Sequence, residues 1–135
     1  MTIDDIAETF DLLGDWEERY AYLIELGRKL PPFTDGDRIE ANKVRGCMSQ
    51  VWLTGGLQAD GTLDFKGDSD STLVKGLIAL LLIMVNGLTP AEVAALDIAS
   101  TFQSLGLESH ITANRRNGFF AMVERIRALA GATTP

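Results

Sequence analysis

The segment QVWLTGGLQADGTLDFKGDSDSTLVKGLIALLLIMV, residues 50–85, decides the fold. Its first eight residues favour extended backbone. TLDFK at residues 62–66 alternates apolar and polar, which in a strand sends successive side chains to opposite faces. Ala59-Asp60-Gly61 between them is a turn signal, so the pair predicts an antiparallel β-hairpin. Gly55 and Gly56 within it mark either a bulge or a close approach by a neighbour. From about Thr72 the pattern changes, and after Lys75 the chain is apolar on nearly every side as far as Val85. That predicts a helix in the middle of the molecule rather than on its surface. Its run LIALLLIMV is far short of the roughly 20 residues that span a bilayer.

Helical spacing dominates on both sides of this segment. Ile3, Ile6, Phe10 and Leu13 recur on one face behind Thr2, a candidate N-cap, with an end near Gly14. Asp15 and Glu18 stand at capping-box spacing before a second helix carrying Trp16, Tyr20, Leu23, Ile24 and Leu30, which Pro31 and Pro32 stop. Beyond the central helix, Asn86-Gly87 is a stop, and Thr89, Pro90 and Glu92 open a further helix. Asp97 caps a short helix through Phe102, with Gly106 as its stop. Thr112 caps a last helix with Phe119, Met122, Val123, Ile126 and Leu129 on one face, ending near Gly131. With a third short strand near Val44, the prediction is an α+β fold in which a small antiparallel β-sheet is packed by several α-helices, without the βαβ repetition of a parallel sheet.

The 135 residues fit a single domain able to bury about two thirds of its unfolded surface. A hydrophobic fraction of 46% with 23% charged residues belongs to a globular, water-exposed chain. Twelve Lys and Arg against 19 Asp and Glu give a net charge of -7, which argues against sequence-independent binding of nucleic acid and for a protein or small-molecule partner. The N-terminal MTIDDIAETF lacks the basic start and apolar stretch of a signal peptide, and one cysteine cannot close an internal disulfide. The expected compartment is the cytoplasm, with no membrane association.

Residues 31–49 form a long stretch without sustained period, and such loops inside a compact domain are usually functional or disordered. Near its end lies the sole cysteine, Cys47, behind Lys43, Arg45 and Gly46. The ordinary structural reading of a lone cysteine is a small buried hydrophobe. The functional reading is a nucleophile: Gly46 permits positive φ and close approach, and the cations favour thiolate. At a pKa of about 8.5 roughly 3% of a thiol is ionised at pH 7, and lowering it by one unit raises that to about 24%. Structural zinc and iron-sulfur sites need three or four ligands, but this chain has one Cys and one His. Two uses remain: catalysis with His110 as base, for which Asn114 would complete a hydrolase-like triad, or thiol exchange with another molecule.

Other candidates have ordinary explanations. Asp68 and Asp70 resemble a magnesium pair but sit where a helix needs an N-cap, with Ser69 and Ser71 competing for that job. Trp52 reads as core. Arg115 and Arg116 read either as a solvated first turn or, because cations are unfavourable at a helix N-terminus, as binders of an acidic partner.

Five blocks together carry a resemblance. Val44, Gly46-Cys47 and Ser49-Gln50-Val51-Trp52 resemble the active-cysteine segment of the SufE family of sulfur-acceptor proteins. RYAYLIELGRKLP, GDSDSTLVKGLIALL, LTPAEV and LGLESHITANRRNGFFAM followed by RIRA agree in order and spacing, over about residues 10–129. The resemblance implies the fold shared by SufE and IscU-type scaffolds. It also implies that Cys47 takes persulfide sulfur from a SufS- or CsdA-like cysteine desulfurase, stimulates that enzyme and passes the sulfur to a SufBCD-type scaffold for iron-sulfur cluster assembly. The chain is then an accessory protein rather than an enzyme and binds no cofactor of its own; pyridoxal phosphate belongs to the desulfurase. Arg45, Gly46 and Ser49 flank the acceptor in that segment. Asp70 matches an aspartate near the acceptor loop, and Arg115 an arginine of the partner-binding region. His110 matches a family position without an assigned role. Met48, Ala113 and Arg116 depart from the family pattern, which often has a polar residue, Pro and Ser there.

Overall fold

A computed structural model describes residues 1–46 and 49–132. Two helices, α1 (Ile3–Leu12) and α2 (Trp16–Arg28), lead into the long loop, where two short 3-10 turns occupy Asp35–Asp37 and Glu40–Asn42. Strands β1 (Val51–Leu57) and β2 (Leu63–Ser69) follow, then α3 (Thr72–Val85), α4 (Pro90–Ala95), α5 (Ile98–Ser104), α6 (Leu107–His110) and α7 (Ala113–Ala132). The fold is α+β, as expected. Among the described residues no helix is long and apolar enough to cross a membrane.

The expected side-chain caps start the helices. The hydroxyls of Thr2 and Thr89 accept from the third residue of α1 and α4, while Asp5 and Glu92 reach back to the capping backbone N–H. Both carboxylates are held below their ordinary pKa, first by those backbone hydrogen bonds. Asp15 caps α2, Asp97 caps α5 and Thr112 accepts from Arg115 N at the start of α7.

Helix α3 is the centre. Ten of its 14 residues are buried, from Val74 through Val85, and it packs on α1, α2, α7 and β2. The closest approach is to α2, where a Cβ on Gly27 would stand 2.7 Å from the Gly76 nitrogen and one on Gly76 only 2.3 Å from the Leu23 carbonyl oxygen. At the far end Asn86 brackets β2, accepting from Phe65 N and donating to Phe65 O.

The hairpin pairs in continuous antiparallel register from Val51 opposite Ser69 to Leu57 opposite Leu63, so neither glycine makes a bulge. Gly55 has φ +132° and a Cβ there would strike the Asp64 carbonyl oxygen at 2.2 Å, which decides for close packing. Three expectations change. Strand β2 runs on through Gly67, Asp68 and Ser69, because Gly67 passes under Ile78 and Leu53, where a Cβ would come within 2.8 Å of both side chains. The α3 cap is therefore Ser71, accepting from Val74 N, and neither Asp68 nor Asp70. Trp52 is only partly buried: Val51 and Leu53 face the core and strand alternation turns Trp52 to the other side.

Substituting Gly76 by Ala adds a methyl where backbone already stands. The gain in helix propensity, about 1 kcal/mol, cannot offset overpacking of this kind, and a net loss of about 1–3 kcal/mol is expected as a lower denaturant midpoint at unchanged m. Gly131→Ala, whose Cβ meets nothing within 4 Å, should leave the midpoint within experimental error or raise it slightly. The depressed carboxylates generate a second expectation. The folded state binds fewer protons there than the unfolded chain, so their stabilisation is complete above the unfolded pKa and disappears as pH falls through the lower folded value. Glu92→Gln should reduce the stability lost between about pH 6 and pH 3.

Candidate functional site

The loop from Pro31 to the first strand is fastened at several points. Arg38 closes the side of its fork on Asp68, with Nε and Nη2 both 2.8 Å from one carboxylate oxygen, and turns Nη1 to Asp35 at 2.6 Å. Lys75 stands 3.6 Å from the other Asp68 oxygen. Asp68 is thus a buried carboxylate between two cations, and its hydrogen bond to Arg38 is the main reason the guanidinium pKa is raised, with desolvation opposing. The side-chain amide of Asn42 donates to Asp37 O, and Arg125 of α7 donates from Nη2 to Ala41 O at 2.8 Å. Next, Val44 N donates to Val51 O and Lys43 bridges Trp52, so the expected third strand is one isolated bridge on the hairpin edge.

Past this bridge, Gly46 adopts φ +90°, with Ala121 of α7 near enough that a Cβ would lie 3.5 Å from its methyl. Cys47 and Met48 lie outside the described residues. Lys43 and Arg45, read as cations favouring a thiolate, both turn toward Glu40, at 3.9 and 3.5 Å. Their contribution to a positive field is correspondingly reduced. On the far side of Cys47, Gln50 N donates to an Asp70 carboxylate oxygen at 3.0 Å, and Asp70 N donates back to Gln50 O. Asp70 therefore clamps the loop's return into β1. It serves neither as the helix cap nor, with Asp68, as half of a carboxylate pair around a cation; Asp68 is committed to Arg38 and Lys75.

Ser49 opens onto a cleft of about 340 Å³. Val51, Val74, Leu77, Phe119 and Met122 make its apolar floor, while Thr112, Asn114 and Arg115 form a polar rim. Ser49 and Arg115, more than sixty residues apart in sequence, share this cleft. Arg115 is exposed and makes no ion pair among the described residues. Its neighbour Arg116 donates to the Glu108 carbonyl at 2.7 Å, so its charge closes the preceding turn, which explains a cation in the first turn of α7.

His110 faces an adjoining cleft that shares Thr112 and Arg115 with the first. Its ring stacks on Trp16 at 4.0 Å and 12°, Nδ1 lies 2.8 Å from Gly106 O, and its carbonyl accepts from the Tyr20 hydroxyl. The ring holds the α6–α7 corner against α2. Among the described residues no group of three or more His, Cys, Asp or Glu side chains is placed to hold a metal.

Sequence reasoning missed Arg38, Lys75 and Arg125. The first two were legible only through Asp68: extending the alternation of Leu63 and Phe65 to Gly67 would have kept Asp68 in the strand. Nothing local marks Arg125, whose partner is a carbonyl 84 positions away.

These features describe a small α+β protein that fixes one loop on both sides of its sole cysteine. A family model described as an Fe-S metabolism associated domain, SufE, matches residues 4–130, and the chain belongs to the SufE family. The family places the protein in iron-sulfur metabolism, in a sulfur-transfer role. Among solved structures, the chain is similar to the solution structure of a hypothetical protein from Thermus thermophilus, with a TM-score of 0.79 at 23% identity over 98% of each chain; that likeness shows the fold.

Gly46→Ala tests the loop's backbone. A methyl has room there, so the cost is conformational only, roughly 1–2 kcal/mol for a non-glycine residue at positive φ. The expected result is a midpoint lowered by that amount, and Gly46→Asn, which tolerates this region better, should recover part of it.

Proposed function

We propose that the protein is a persulfide carrier whose acceptor is Cys47. The thiolate attacks the outer sulfur of a persulfide held by a pyridoxal phosphate-dependent cysteine desulfurase. A new S–S bond forms at Cys47, the donor's S–S bond breaks, and the donor cysteine leaves as a thiolate that takes up a proton. The transfer needs no oxidant or reductant. A second exchange of the same kind passes the sulfur to a SufBCD-type scaffold, and removal of the persulfide is how the carrier stimulates the desulfurase.

The observation that carries this reading is family membership across residues 4–130 joined to a solitary thiol on a loop anchored at Val44 and Gln50. A carrier with no second thiol has no internal route for discharging its cargo as a disulfide. In this reading Arg45, Gly46 and Ser49 present the acceptor, Asp70 holds its loop, and Arg115 meets an acidic group of the desulfurase. The whole chain acts as one domain in the cytoplasm and needs no cofactor of its own. The hydrolase alternative, Cys47 with His110 and Asn114, has less support, because the group on the imidazole Nδ1 is the Gly106 carbonyl and not Asn114.

Incubation with a cysteine desulfurase and cysteine should add one reducible sulfur to the Cys47 peptide by mass spectrometry. Cys47→Ser should abolish both that mass and the stimulation, while His110→Ala should leave the maximal persulfide yield intact. Absence of the extra sulfur with desulfurase turnover unaffected would defeat the reading, and loss of all activity in His110→Ala would favour the hydrolase. Arg115→Ala should raise the half-saturating concentration for stimulation about tenfold without lowering the maximum, the loss of one charge-assisted contact.

A further inference from the structure

The loop rests on α7 through two residues one helical turn apart. Ala121 lies opposite Gly46, and Arg125 donates to the Ala41 carbonyl. Residues four apart share a helix face, so residues 41–46 run back along α7 against the helix direction. Arg125 holds them in an incomplete way. A guanidinium carries Nε–H and one Nη2–H side by side as a fork. Here Nη2 has its carbonyl, while Nε is buried with no hydrogen-bond partner among the described residues. Among the described residues no carboxylate pairs with it either: Glu124, its neighbour in sequence, lies 4.0 Å from Arg127.

Arg38 shows the contrasting arrangement. The same fork there is closed on Asp68, with Asp35 on the remaining nitrogen. A permanent anchor satisfies its donors, because a buried donor left without an acceptor forfeits its hydration. Arg125 recovers that hydration on letting go and breaks no ion pair in doing so, whereas freeing Arg38 would strand the buried Asp68 carboxylate beside Lys75 alone.

We propose that Arg125 is a positioning residue of the sulfur acceptor: it holds residues 41–46 on α7 in the free protein and releases them when the loop enters a partner. The Arg38–Asp68 attachment stays closed throughout and serves as the hinge end. The inference rests on the acceptor reading above and assigns a role to a residue that reading leaves without one.

The sole thiol makes the test direct, since alkylation of the intact chain by iodoacetamide reports Cys47 alone. Arg125→Met keeps the stem and removes the donors, and Arg125→Lys keeps a charged donor without the fork. In the free protein Arg125→Met should alkylate about three- to tenfold faster than the parent, the factor for one net hydrogen bond, and Arg125→Lys should return within about twofold of it. With saturating desulfurase bound, all three chains should alkylate at one common rate, faster than the free parent. Equal rates for the free parent and Arg125→Met overturn the proposal. So does Arg125→Lys matching Arg125→Met, because the hydrogen bond would then not be what holds the loop. The free-protein measurements need no partner. Failure of the acceptor reading would show separately, as wild-type chain that gains no sulfur while the alkylation order stands.

Discussion

The constraint on which the rest depends is that α3 has almost no polar face. A helix buried from Val74 to Val85 must be covered on every side, by α2 through the glycine seam, by the hairpin, by α1 and by α7. Each fully buried Leu or Ile contributes about 1.5–3 kcal/mol, so the covering is where stability resides. Polar groups are correspondingly driven to the ends of α3. At its N-terminal end Asp68, Asp70, Ser71 and Lys75 follow one another within eight residues and divide the work there. Asp68 is the ion-pair centre, Asp70 the loop clamp, Ser71 the helix cap and Lys75 the counter-cation.

The candidate site follows from that displacement. The hairpin brings Gln50 beside Asp70, and the start of α7 brings Arg115 to the cleft that Ser49 shares. The loop bearing Cys47 is thus bounded by a core-anchored strand on one side and by Val44, whose N–H is bonded to β1, on the other. A rigid body carrying a short, separately fastened loop is suited to a reaction that takes place in another protein's active site. In the proposed transfer, the chain's own contribution is a sulfur nucleophile and the means to present it.

Much of this was legible in the residues. Period-two alternation gave the hairpin, the unbroken apolar run gave the central helix, and Thr2, Asp15, Thr89, Asp97 and Thr112 marked helix starts, because capping is a local interaction that sequence spacing encodes. Most failures were non-local. The alternation was followed only to Lys66, because the reason the strand continues, the passage of Gly67 under Ile78, lies in another element. Asp68 looked like a cap because its partner Arg38 stands thirty residues earlier. The ring of His110 stacks on Trp16, ninety-four residues earlier, and no local spacing announces that contact. One miss was local: Glu40, three and five residues before Lys43 and Arg45, stands 3.9 and 3.5 Å from them and offsets part of their charge.

The most direct measurement is a single turnover. A desulfurase loaded with one labelled persulfide sulfur, freed of cysteine and mixed with excess chain, should hand over close to one sulfur per desulfurase before any label appears as free sulfide. Cys47→Ser chain should leave the label on the desulfurase. Label released as sulfide at the same rate with either chain, without passing through this one, would contradict the account.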